Sequence, residues 1–304
     1  MTNALLDSTE LQAPVRSISL NYRCYGNPQD PALLLIMGLA TQRTAWPETW
    51  ISAFVNAGRY VIAYDHRDIG LSTRMHGGPA PNPIKVFMRR RLRLSNNLAY
   101  SLQDLAQDAL ALLDYLNIES ADVLGISMGG MVAQWLAILA PARVRRLTLL
   151  MTSSGYPLLP TPSWKVLKLF LQTAPSQQNG QTQADPRELA AAYLVNLFAL
   201  VGSPGFPSDP ERRKIWAKAQ VQRSIAGLGA ARQLAAICDD GERYRQLERI
   251  SAPTRVFHGT ADLLVPIAHG RDLAKRIPGA QFTEIAGLGH DLPEQLADYF
   301  ASRL

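Results

Sequence analysis

Residues 121–140 read ADVLGISMGGMVAQWLAILA. Ala121–Ile126 is a short apolar run of strand length, and from Met128 onward apolar and small side chains recur at helical spacing. A strand that passes directly into a helix is the repeating unit of a mostly parallel α/β sheet. At the junction, Gly125, Ser127 and Gly129 form G-x-S-x-G. A serine at the tip of such a turn is forced into strained backbone, and flanking glycines remove the Cβ atoms that would keep strand and helix apart. Its hydroxyl then points outward above a helix N-terminus, where the dipole and the Met128 amide favour a developing oxyanion. The plainer alternative is a glycine-rich turn whose serine only caps the helix.

Working outward, similar runs occur at Ala32–Met37, Tyr60–Tyr64, Arg146–Met151, Arg255–His258 and Gln281–Ile285. They read as strands buried on both faces. Val15–Tyr25 alternates weakly and predicts an edge hairpin. Leu102, Leu105, Ala106, Ala109, Leu112, Leu113 and Leu116 share one helix face, with Gln103, Asp104, Gln107 and Asp108 opposite. From 152 to 249 the strand signals stop and only helical segments follow, at 164–171, 187–201, 210–224 and 230–238. The expected organisation is therefore an α/β core from 1–151 and 250–304, with residues 152–249 inserted as a helical cap over the carboxyl ends of the strands. PLLPTP at 157–162 and PAPNP at 79–83 read as stiff loops.

Composition narrows the function classes. With 304 residues, 47% hydrophobic and 18% charged, disorder and fibrous repeats are excluded. The longest apolar runs, such as Ala32–Ala40, fall short of the ~18 residues of a membrane-spanning helix. The opening MTNALLDSTELQ has no basic start followed by an apolar stretch, so no secretory leader is expected. Cys24 and Cys238 are far apart and in no metal-like spacing, which points to a reducing cytoplasm and to neither disulfide nor zinc. Lys and Arg exceed Asp and Glu by 31 − 25 = 6. One basic run stands out, KVFMRRRLRL at 85–94, with Lys85, Arg89, Arg90, Arg91 and Arg93. It reads first as a solvated helix face with its apolar residues turned inward, and second as an anion or membrane-surface patch. Nucleic-acid binding would want such charge spread across the surface.

A nucleophilic serine needs a base. Of His66, His76, His258, His269 and His290, only His290 sits in a glycine-punctuated loop after a strand run, in AGLGHDLP, where it can overhang the sheet edge to which Ser127 points. His66 and His258 adjoin strand runs and read as structural. The base in turn needs an acid to hold its tautomer. Asp262, in RVFHGTADLLVP, follows another strand run. Asp65 and Asp68 in YDHRDIGLS are rivals that more plausibly brace loops, and Asp239 and Asp240 fall in the insertion. A second oxyanion donor is expected from the Leu39 amide, after the run that ends at Met37-Gly38.

The set MGL, YDHRDIGLS, GISMGG, HGTAD and GLGH, in this order, resembles the α/β-hydrolase superfamily. LLLIMGLATQRTAWP and YDHRDIGLST look like the aclacinomycin methylesterase group and related carboxylesterases. The resemblance runs from about Tyr25 to the C-terminus, apart from the helical insertion. It implies an α/β-hydrolase fold and a serine ester hydrolase with Ser127 as nucleophile, His290 as base, Asp262 as acid and oxyanion amides at Leu39 and Met128. Met37 departs from the wider superfamily, many members of which have histidine before this glycine. No metal or organic cofactor is implied, and the partner is a small ester with an apolar portion. Trp164, Phe170, Tyr193 and Phe198 in the insertion are the candidate pocket residues. Cleavage of a C–C bond, cofactor-free perhydrolysis and a non-catalytic receptor on the same fold remain alternatives. Haloalkane dehalogenase and epoxide hydrolase chemistry would need a carboxylate in place of Ser127.

Overall fold

Leu33 and Leu35 belong to one hydrophobic core and Leu34 and Ile36 to another, so the uniformly apolar run is a strand covered on both faces. The structure, a computed structural model, describes residues 10–76, 81–171 and 185–304. The strands are β1 (Leu11–Val15), β2 (Ile18–Tyr25), β3 (Ala32–Ile36), β4 (Tyr60–Tyr64), β5 (Ala121–Ile126), β6 (Val144–Leu150), β7 (Thr254–Gly259) and β8 (Gln281–Ile285). They form one sheet in the order β1-β2-β4-β3-β5-β6-β7-β8. β1 and β2 make the edge hairpin, β2 runs antiparallel to β4, and all other pairs are parallel.

The helices are α1 (Glu48–Asn56), α2 (Pro83–Arg91), α3 (Leu102–Tyr115), α4 (Met128–Leu139), α5 (Trp164–Leu171), α6 (Pro186–Val201), α7 (Pro210–Arg223), α8 (Leu228–Asp239), α9 (Ala268–Arg276) and α10 (Ala297–Ala301). On one face of the sheet Trp50 of α1 stacks on Phe300 of α10 and meets Phe54 of its own helix edge-on. α3, α4 and Leu273 of α9 cover the other. α3 begins at a capping box in which Ser101 and Asp104 satisfy each other's amides. Between β6 and β7 the described residues contain helices and no strand.

The strand order positions the site. After β3 the chain crosses to β4 on one side, then returns to place β5 on the other side of β3. Connections leaving β3 and β5 therefore diverge, and the crevice between them at the carboxyl ends is where ligands bind in open α/β sheets. Gly38 and Ser127 stand at those two ends.

Two expectations about side-chain direction fail. Asp108, assigned to the polar face of α3, is buried and held by two 2.6 Å hydrogen bonds from Arg67. The apolar residues of α2 do not turn inward either: Ile84, Phe87 and Met88 are exposed and Val86 is the buried one. α2 packs against α8, and Arg90 reaches Glu242 at 2.9 Å. Of the 79–83 loop, residues 79 and 80 lie outside the described residues.

Candidate active site

Ser127 occupies φ 54°, ψ −122°, a conformation that costs a non-glycine residue on the order of 1–3 kcal/mol. Its neighbours hold it there. Its amide donates to Leu150 at 3.0 Å, and its carbonyl accepts from the Thr152 hydroxyl at 2.5 Å and from the Gly130 amide at 3.0 Å. The glycines are sterically required. A Cβ on Gly129 would lie 2.1 Å from the Ile36 carbonyl oxygen, and one on Gly125 would lie 2.5 Å from that of Gly129. One on Gly130 would meet Thr152 at 2.6 Å.

Asp262 and His290 come from separate loops, after β7 and β8. Asp262 Oδ2 accepts from His290 Nδ1 at 2.7 Å, and Oδ1 accepts from the Leu264 and Val265 amides at 2.9 and 2.8 Å. With the proton on Nδ1, the Nε2 lone pair of a neutral His290 is free to act as base. Burial pushes the Asp262 carboxyl up, but His290 and His258 outweigh it and bring it down to about 2. The carboxylate is thus ionised throughout the neutral and mildly acid range.

Ser127 and His290 both line one cavity of about 1490 Å³. Among the described residues, no hydrogen bond joins the serine hydroxyl to the imidazole. Such contacts commonly tighten only when substrate is bound. Leu39 lines the same cavity, and the loop that carries it packs against the serine: a Cβ on Gly38 would lie 3.3 Å from Ser127 Cβ. Met128 is the first residue of α4, where amides have no intrahelical acceptor. The roof of the cavity comes from α6, α7 and α8, including Tyr193, Phe198, Trp216 and Leu234.

The alpha/beta hydrolase fold family matches residues 31–295. The chain belongs to the α/β-hydrolase fold family. This α/β hydrolase is 30% identical to the rhodomycin D methylesterase DnrP of Streptomyces peucetius, over 88% of this chain and 87% of that protein. It is 27% identical to the 3-oxoadipate enol-lactonase 2 of Acinetobacter baylyi, over 86% and 83%. Among solved structures, the enol-lactonase of Burkholderia xenovorans LB400 superposes with a TM-score of 0.70 at 25% identity, covering 96% of this chain and 97% of that one.

In this hydrolase the remaining sequence candidates fall out as follows. Tyr193 and Phe198 line the cavity, Phe198 packed edge-to-face on Trp216 at 4.8 Å. Trp164 does not: it is exposed and borders a separate shallow groove with Lys165 and Lys168, because Val166 takes the buried position of α5. The side chain of Phe170 lies outside the described residues. Asp65 and Asp68 brace loops and pair with Arg223 and Arg232, Asp239 accepts from Asn96, and Asp240 pairs with Arg243. His76 is exposed, and His269 bonds Ser153 and the Pro160 carbonyl.

Three further residues brace the site; His66 and His258 are the two read as structural from the sequence, and Gln233 was not singled out there. His258 is fully buried; its Nε2–H donates to the Val265 carbonyl at 2.7 Å and lies 3.5 Å from Asp262 Oδ2, bracing the turn that holds Asp262. Its four-residue spacing from Asp262 was a usable signal. His66 Nε2 donates to the Met37 carbonyl at 3.0 Å, so the position that departs from the superfamily is held through its backbone. Gln233 of α8 accepts from the Ala40 amide at 2.8 Å, a contact for which a helical sequence offers no signal.

Proposed function

We propose that this hydrolase is a serine carboxylic-ester hydrolase working through an acyl-enzyme, with Ser127 as nucleophile, His290 as base and Asp262 as acid. The observation that carries this reading is the 2.7 Å Asp262–His290 hydrogen bond in the cavity that also exposes the strained serine. His290 Nε2 takes the hydroxyl proton as Ser127 attacks the ester carbonyl. The Leu39 and Met128 amides stabilise the oxyanion, and His290 returns the proton to the departing alcohol. Water then repeats the sequence on the acyl-enzyme.

Residues 152–249 act as a cap on a core of 1–151 and 250–304. The cavity beneath it exceeds the ~1000 Å³ upper range of drug-sized pockets, and its roof is largely apolar and aromatic, with Arg212 and Arg213 of α7 also lining it. Bulky, largely apolar methyl esters or lactones are the substrates it suits, as the names of the relatives suggest.

Ser127→Ala should lower turnover of a small aryl ester by ~10⁴-fold or more, and a fluorophosphonate should label Ser127 in the wild type. Undiminished turnover in the variant would remove Ser127 from the mechanism. Absent labelling would favour a receptor on this fold. A panel of esters graded in acyl and alcohol size then assigns the substrate class.

A further inference from the structure

α2 carries its large apolar side chains on the outside. Ile84 is 69% exposed and Phe87 and Met88 about half, and just beyond the helix Leu92 is 66% exposed. At about 100° per residue, Ile84, Phe87, Met88 and Arg91 share one face, and the buried Val86 lies opposite. A helix that packs on a globular core has the reverse arrangement.

The same stretch is strongly cationic. Lys85, Arg89, Arg90, Arg91 and Arg93 fall within nine residues, and no Asp or Glu occurs between Asp68 and Asp104. Arg90 pairs with Glu242. Among the described residues no carboxylate lies within ion-pair distance of Lys85, Arg89, Arg91 or Arg93.

We propose that α2 and residues 92–94 form a docking face for an anionic lipid bilayer. Ile84, Phe87, Met88 and Leu92 would enter the boundary between headgroups and acyl chains, with the cations meeting lipid phosphates. Charge selects this occupant. A second copy of the chain would set one cationic stretch against another. A nucleic acid would neutralise the arginines, yet it draws its affinity from phosphate contacts and leaves the apolar face unused. α2 rests on α8, whose Ala230, Ala231 and Leu234 line the cavity, so docking would bring the cavity to the lipid surface, where apolar esters concentrate. The proposal goes beyond ester hydrolysis and does not depend on Ser127.

The test is co-sedimentation of the full chain with vesicles of phosphatidylcholine alone or mixed with phosphatidylglycerol. Binding to the mixed vesicles is expected, weaker to the neutral ones, and reduced by added salt. The triple variant Ile84→Ser, Phe87→Ser, Met88→Ser and the triple variant Arg89→Gln, Arg91→Gln, Arg93→Gln should each lower the partition coefficient at least ~10-fold. Both should keep wild-type circular dichroism and turnover of a soluble aryl ester, and Ser127→Ala should bind vesicles like wild type. No binding to either vesicle, or equal binding by all variants, overturns the proposal. So does a concentration-dependent dimer, seen by sedimentation velocity and abolished by the apolar triple variant, in a chain that ignores vesicles.

Discussion

A serine at φ 54° persists because three hydrogen bonds and three glycines leave it no other place to go. The histidine beside the neighbouring loop pays a different cost. Burial, reinforced by Arg67 and only partly offset by the Met37 carbonyl, brings His66 down to about 4. An unfolded histidine titrates near 6.5, so below that pH the unfolded chain takes up a proton that the folded chain refuses. Stability therefore falls as pH drops from about 6.5 to about 4, by ~3 kcal/mol from this group, and is indifferent to it below. Urea titrations at neutral and mildly acid pH should show this slope in the wild type and a flatter one in His66→Gln. An unchanged slope in the variant would assign the effect to another group.

At the level of elements, the helices between β6 and β7 do more than cover the site. The end of α6 offers the Val201 carbonyl to the His290 amide at 2.6 Å, and Ser203 Oγ accepts from the Gly289 amide at 2.7 Å. Gly289 has no room for a side chain, since a Cβ would lie 2.4 Å from the Val201 and Gly202 carbonyl oxygens. α8 performs the same service for the other loop, through Gln233 and the Ala40 amide next to Leu39. With Leu39 as the proposed oxyanion donor, displacing its amide costs turnover more than ground-state binding. Gln233→Leu should thus reduce kcat by ~10-fold or more with KM changed by less than about threefold. Steady-state kinetics on one ester would settle it; a variant that loses stability but keeps kcat would make the contact purely structural.

Across the whole molecule, one arginine ties α7 to the far edge of the sheet. Arg223 of α7 donates to Asp65 Oδ2 at 2.8 Å and to Gln42 and Asn21 at 2.7 Å each, and also pairs with Glu10. Asp65 is fully buried, so Arg223→Met would leave its carboxylate with only the Arg43 and Leu71 amides. The expected loss is ~3 kcal/mol in urea unfolding, with α7 and the sheet melting less cooperatively. A loss below about 1 kcal/mol would mean those amides suffice.

Six of the eight strands and the turn at Ser127 were legible in the chain because apolar period and glycine placement are local properties, set within ten residues of each other. The loops of Asp262 and His290 were legible for the same reason. Periodicity states which faces want cover, however, and not what covers them. It could not tell that Asp108 would be claimed by Arg67, that Trp164 would face water, or that α2 would turn Ile84 and Phe87 outward. Nor could it order the strands so that β3 and β5 flank the crevice. Those outcomes rest on contacts such as Ala40 to Gln233 and Asn21 to Arg223, each spanning more than 150 residues of chain, and only packing in three dimensions chooses among the partners that local chemistry allows.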